Sequence, residues 1–261
     1  MSARRKGRER GGTAPRAPQP PVRNTTAALY RHSAWAFAAF TLVALVAFWP
    51  SYFSRLSSQP TWHPHAHGIA MTLWLGLLVS QAWLIRTGRR DVHRLIGASS
   101  YVLVPFIAWA TLAFVSFRMQ GVTRIGSVDL YQLALMINAV VVFVLIYALA
   151  MYHRSESPVH ARYMLCTIFP LFTPVTDRLI GRHVPAIVPL VPRLEGSPVV
   201  PVAGFLLADA ILIALWIWDW RSPRRTMAFP VALGILLAYH ASVLTFHRLP
   251  AWRAFCEWIF V

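Results

Sequence analysis

The chain has 261 residues, of which 57% are hydrophobic and only 13% charged, and its mean hydropathy is +0.51. Soluble globular chains run at about 45–50% apolar and about 25% charged, so the charge here is too sparse to coat a water-facing surface. Two cysteines and long apolar runs also exclude a disulfide scaffold, a collagen-like chain and a wholly disordered one. What remains is a polytopic membrane protein, an all-α bundle of transmembrane helices.

In chain order, residues 1–26 come first and read as a disordered basic cytoplasmic tail. The chain carries 25 basic and 9 acidic residues, a formal charge of +16, and Lys6 is the only lysine. Arg4, Arg5, Lys6, Arg8, Arg10, Arg16, Arg23 and Arg31 all precede or open the first apolar run. Anionic lipid is the expected partner of this tail, worth about 1 kcal/mol per basic residue close to a membrane surface. Nucleic acid is the less favoured partner, because short basic tails on membrane proteins ordinarily set orientation. The first apolar run ends in FWPSYF, with no small-residue cleavage site, so it does not read as a signal peptide.

Residues 27–261 form the transmembrane domain. Seven apolar segments follow one another at about 29–50, 68–86, 95–117, 130–152, 161–180, 199–219 and 227–247. Each is near the roughly 20 residues that a helix needs to cross a bilayer. Pro170 and Pro174 interrupt the fifth, which predicts a kink packed inside the bundle, where neighbours satisfy the freed carbonyls. Residues 181–198, with Pro185, Pro189, Pro192 and Pro198, predict a loop along the interface. Arginine and lysine number 17 on the side of the amino terminus and 8 on the other. That asymmetry puts the amino terminus in the cytoplasm and, with an odd number of helices, the carboxyl terminus outside. Cys166 and Cys256 then fall on opposite sides, which predicts no disulfide between them.

Polar groups inside hydrocarbon are expensive and are functional candidates by default. Histidine is the most concentrated. His63, His65 and His67 stand in WHPHAHG at the outer mouth of the second span, and His240 and His247, seven residues apart, are expected on one face of the seventh. His32, His93, His153 and His160 gather at the cytoplasmic edge. Neutral imidazole is the commonest metal ligand and also titrates near physiological pH. Two histidines on facing helices can clamp haem iron, and three or four can hold a transition metal. A haem pairing would join His67 with His240 or His247 outside, and His93 with His153 or His160 inside. The trio His63, His65 and His67 is the candidate metal site. Asp209, Asn138 and Gln81 are further polar residues inside spans, with Asp209 able to carry a proton, bind a cation or orient a histidine. Asp177 with Arg178, and Asp219 with Arg221, read as interface anchors.

The run HAHGIAMTLWLGLLVSQAWLIRTGRRDVHRLIG, with G-R-x-x-x-H-R-x-x-G from Gly88 to Gly97, resembles the core of a widespread group of bacterial multi-pass membrane proteins without an assigned activity. FWPSYF, HARYM from His160 to Met164, LLADAIL around Asp209, WDWR and AWRAFCEW extend the resemblance over residues 48–258. It implies a seven-helix protein of the bacterial inner membrane. A looser similarity links the helix-end histidines to b-type membrane cytochromes and ferric reductases. This chain departs from their pattern, because His67 and His93 open consecutive antiparallel helices on opposite sides.

No P-loop, dinucleotide fingerprint or nucleophile elbow is present in the sequence. The leading expectation is therefore a haem b or transition-metal site serving electron transfer or metal handling. Its alternatives are a cofactor-free proton-coupled transporter or small-molecule binding protein, with Asp209, Asn138 and Gln81 along the path, and an accessory subunit of a membrane complex.

Overall fold

A computed structural model describes residues 25–261, so the basic tail, apart from its last two residues, lies outside the described residues. The helices are α1 (Thr25–Phe48), α2 (Trp62–Arg86), α3 (Arg90–Gly97), α4 (Ser100–Met119), α5 (Ser127–Tyr152), α6 (Ser157–Cys166), α7 (Phe172–His183), α8 (Pro201–Trp220), α9 (Ala228–Thr245) and α10 (Pro250–Phe260). Among the described residues, six segments are long and apolar enough to cross a membrane, built on α1, α2, α3 with α4, α5, α8 and α9. Large apolar side chains such as Leu42, Leu73, Val102, Val141, Leu206 and Leu237 stand exposed on their outer faces. A bundle apolar both inside and out fits lipid and not water, and the chain is a multi-pass, all-α membrane protein.

The fifth apolar segment is not one kinked helix. It consists of α6 and α7 joined through Thr167–Leu171, with a short 3-10 turn at Phe169–Leu171. Pro170 sits in that turn, and Pro174 falls in the first turn of α7, where amide hydrogens have no helical partner in any case. Ile168, Phe169, Pro170 and Leu171 are all buried, so the break is wrapped by neighbouring helices. On either side of it the chain takes different neighbours: α6 packs on α5 and α9, whereas α7 packs on α8 and α1. At Gly204 of α8 a Cβ would stand 3.3 Å from the Thr173 Cα, so this glycine lets two backbones touch.

The α2–α3 corner is set by Gly88, whose φ of +77° suits glycine. Its amide donates to the Ile85 carbonyl at 3.1 Å and the next amide, of Arg89, to Leu84 at 2.9 Å, a Schellman closure. The turn sends α3 back across the end of α2 and so places His93 and Gly97 against it. The segment expected as an interfacial loop contains a 3-10 turn at Pro185–Leu190 and a small antiparallel hairpin, β1 (Arg193–Leu194) and β2 (Ser197–Pro198), turned by Glu195 and Gly196 at positive φ.

Beyond the seventh apolar segment, α10 begins at Leu249-Pro250, with proline at its first position. Trp252 donates from Nε1 to the Leu130 carbonyl at 3.1 Å, and Arg253 donates to Ile125 at 2.8 Å. Cys256 completes a small apolar cluster with Val115, Met119, Ile125, Leu130 and Leu133. The bundle therefore has two distinct ends. The amino end gathers the start of α1, the ends of α2, α5 and α8, and the starts of α3, α6 and α9. The far end carries the hairpin and α10.

Candidate functional site

Asp209 lies midway along α8 and His240 about two-thirds of the way along α9. The two helices pack together, and His240 Nδ1 stands 3.1 Å from Asp209 Oδ2. The Phe205 ring, one turn before Asp209 on α8, stacks on the imidazole at 4.0 Å between centroids. The side chains of the pair are only 8% and 15% exposed. Asp209 Oδ1 is buried and has no hydrogen-bond partner. The carboxylate thus holds one imidazole nitrogen, while its own second oxygen remains free to accept a proton.

Two hydrogen bonds tie this part of α9 to α5. Asn138 Nδ2 donates to Ser242 Oγ at 2.8 Å, and the Tyr239 hydroxyl donates to the Leu135 carbonyl at 3.1 Å. The Tyr131 hydroxyl, on the same helix as Asn138, is buried without a partner and lies within electrostatic reach of Tyr239 and Asp177.

The histidines of WHPHAHG do not converge. Because α2 already begins at Trp62, successive residues are turned by about 100° around the helix. His63 and His67 face α4: His63 stacks on Phe117 at 4.8 Å, and His67 stacks on Phe114 at 5.4 Å while its Nδ1 meets Thr111 Oγ1 at 3.1 Å. His65 lies on another side, with its ring 6.0 Å from that of Tyr52. His63 Nδ1 is 3.0 Å from the Thr61 hydroxyl. His240 and His247 fall in different elements. The α-helix stops at Thr245, and His247 sits in a 3-10 turn beside Arg248, its Nδ1 buried without a partner.

At the amino end, His160 Nδ1 donates to the Ala150 carbonyl at 2.8 Å. His93 lies within electrostatic reach of His160 and beside the Gln81 main chain, with its Nδ1 buried and unpartnered. His153 instead meets Glu156 at 2.9 Å and stacks on Tyr163, and His32 is exposed. The structure thus pairs His240 with Asp209, leaves His93 and His160 without a direct contact though within electrostatic reach, and gives His67 a separate partner. Among the described residues no group of three or more histidine, cysteine, aspartate or glutamate side chains is placed to hold a metal ion.

Sequence reasoning missed the most buried charges among the described residues. Arg162 on α6 and Asp219 on α8 are 0% and 1% exposed. Arg162 donates to Asp219 through both Nε, at 3.0 Å, and Nη2. It also donates to Thr26 Oγ1, to the Pro158 carbonyl and to the Arg224 carbonyl, and Asp219 accepts the Thr226 amide at 3.1 Å. Asp219 is therefore no partner of Arg221 at an interface but the centre of a closed network joining α1, α6, α8 and the turn before α9. The available signal was positional: Arg162 opens the fifth predicted span and Asp219 closes the sixth, which puts opposite charges at one depth and one end.

Comparison of the chain with protein-family models, curated proteins and solved structures returns no match.

Proposed function

We propose that the protein is a proton-coupled transporter of the bacterial inner membrane, with the coupling proton bound at Asp209 and His240. In this reading α6 and α7 together make the fifth of seven crossings. The amino end, which carries most of the arginine, faces the cytoplasm. The observation that carries the proposal is the buried carboxylate–imidazole pair, on facing helices, whose Asp209 Oδ1 lacks a partner. Ionisable residues at membrane depth are rare, pair with one another, and mark ion and proton pathways. Taking up one proton at Oδ1 converts the pair from anionic to neutral. A charge in hydrocarbon costs about 2.5–3.5 kcal/mol on insertion scales, so the two protonation states favour different hydration and helix packing around the pair. That difference is what coupling requires. Asn138, Ser242 and Tyr239 form the adjoining polar wall.

The test is proton entry into proteoliposomes under an imposed potassium diffusion potential, read by a trapped pH dye. The wild type is expected to exceed protein-free vesicles and Asp209→Asn to fall to their level. Entry through Asp209→Asn at the wild-type rate would overturn the proposal. An absorption spectrum of the purified protein, oxidised and reduced, separates this reading from a haem b held by His93 and His160, which would show a reduced Soret band.

A further inference from the structure

The inner half of α2 carries polar atoms that the Asp209–His240 pair does not use. Trp74 is fully buried and its Nε1 has no hydrogen-bond partner. Gln81, seven residues on along the same stripe and 8% exposed, has neither its amide oxygen nor its amide nitrogen satisfied. Seven residues of helix are about 10 Å. His93 Nδ1 is a further unpartnered atom beside the Gln81 main chain.

These groups lie on the side of α2 against which α3, α4 and α5 pack. A Cβ on Gly97 would come 3.1 Å from Gln81 Oε1, so the absent side chain there leaves the amide its place. One turn on, Ser100 Oγ shares a 2.8 Å hydrogen bond with the Tyr147 hydroxyl. The Tyr147 and Phe143 rings stand 5.9 and 5.0 Å from Trp74. No charged side chain of these elements joins the unpartnered set, which consists of an indole N–H, a carboxamide and an imidazole. Buried polar atoms are nearly always hydrogen-bonded, and where protein supplies no partner a bound water does.

We propose that α2, α3, α4 and α5 enclose a hydration site in which bound waters bridge His93, the Gln81 amide and Trp74 Nε1, admitting water from the amino end into the inner half of the bundle. Its use as the inner limb of a proton route rests on the transport reading above; the hydration itself does not.

A thiol is reactive only as thiolate, which forms in water and not in apolar surroundings. In the full-length protein in proteoliposomes, Gln81→Cys is expected to react with methanethiosulfonate ethylammonium at least about tenfold faster than Ala82→Cys, its neighbour at the same depth. The native cysteines, both buried, set the background. Equal rates would overturn the proposal. Thermal unfolding of Gln81→Met in detergent gives a second readout. A water-bridged amide predicts a lower midpoint, whereas a higher midpoint means a dry amide relieved by an apolar side chain and overturns the site. A dry Gln81 with proton entry still lost in Asp209→Asn defeats the hydration site alone. A hydrated Gln81 with proton entry intact in Asp209→Asn defeats the transport reading alone.

Discussion

Arg162 and Asp219 show how a charge is kept out of water inside an apolar bundle. Every strong donor of the guanidinium faces an oxygen: the Asp219 carboxylate, the Thr26 hydroxyl, and the carbonyls of Pro158 and Arg224. Removing one partner leaves a buried charge uncompensated, a loss of about 3–5 kcal/mol, while replacing both with apolar residues is often close to neutral. Arg162→Met and Asp219→Leu are therefore each expected to lower the unfolding midpoint in detergent sharply, and the double variant to recover much of the loss. Additive losses would show that the two side chains act independently. Asn138 and Ser242 form an ordinary interhelical hydrogen bond, and Asn138→Leu is expected to cost only about 0.6 kcal/mol by the same measurement. At this scale the sequence offers Asp209 and His240 as costly residues, but not their partnership, and it does not single out Arg162. Asp209 and His240 are 31 positions apart, and only the packing register of α8 against α9 decides that they meet.

The elements divide by how local their causes are. Long apolar stretches such as α5 announce themselves, because a crossing needs only length and hydrophobicity. The break between α6 and α7 is signalled by Pro170 and Pro174, but whether proline bends or divides a helix depends on what surrounds it, here a fully buried turn. Gly204→Val places side-chain atoms against the Thr173 backbone, which has no rotamer to yield. It is expected to push α7 from α8 and to lower the unfolding midpoint, and an unchanged midpoint would show that this contact is slack. The α10 helix (Pro250–Phe260) is too short to cross a membrane, so apolar length does not signal it, and its anchor is Trp252. Burial pushes the Cys256 thiol up to about 11, well above its ordinary value. Maleimide at neutral pH should leave Cys256 unmodified in the wild type and label it in Trp252→Ala, where α10 loosens. Rapid wild-type labelling would mean that α10 is not docked.

Across the whole molecule, the composition that excludes a soluble fold is the same property that leaves few polar groups inside, so those few are informative. They separate by depth. The Arg162–Asp219 network closes the amino end, Gln81 lies beside it toward the same end, and Asp209 with His240 lies further toward the far end. The compact run of histidines that dominates the sequence is divided between two sides of α2, with His63 and His67 toward α4 and His65 toward Tyr52, because residues two apart on a helix face in nearly opposite directions.

The most direct test of the account is infrared difference spectroscopy of the reconstituted protein as the pH is lowered from about 8 to about 5, which spans the ordinary range of imidazole. A protonated-carboxyl band that rises in the wild type, shifts in His240→Gln and vanishes in Asp209→Asn is the predicted result. A spectrum that is the same in the wild type and Asp209→Asn would contradict it, since the pair would then bind no exchangeable proton.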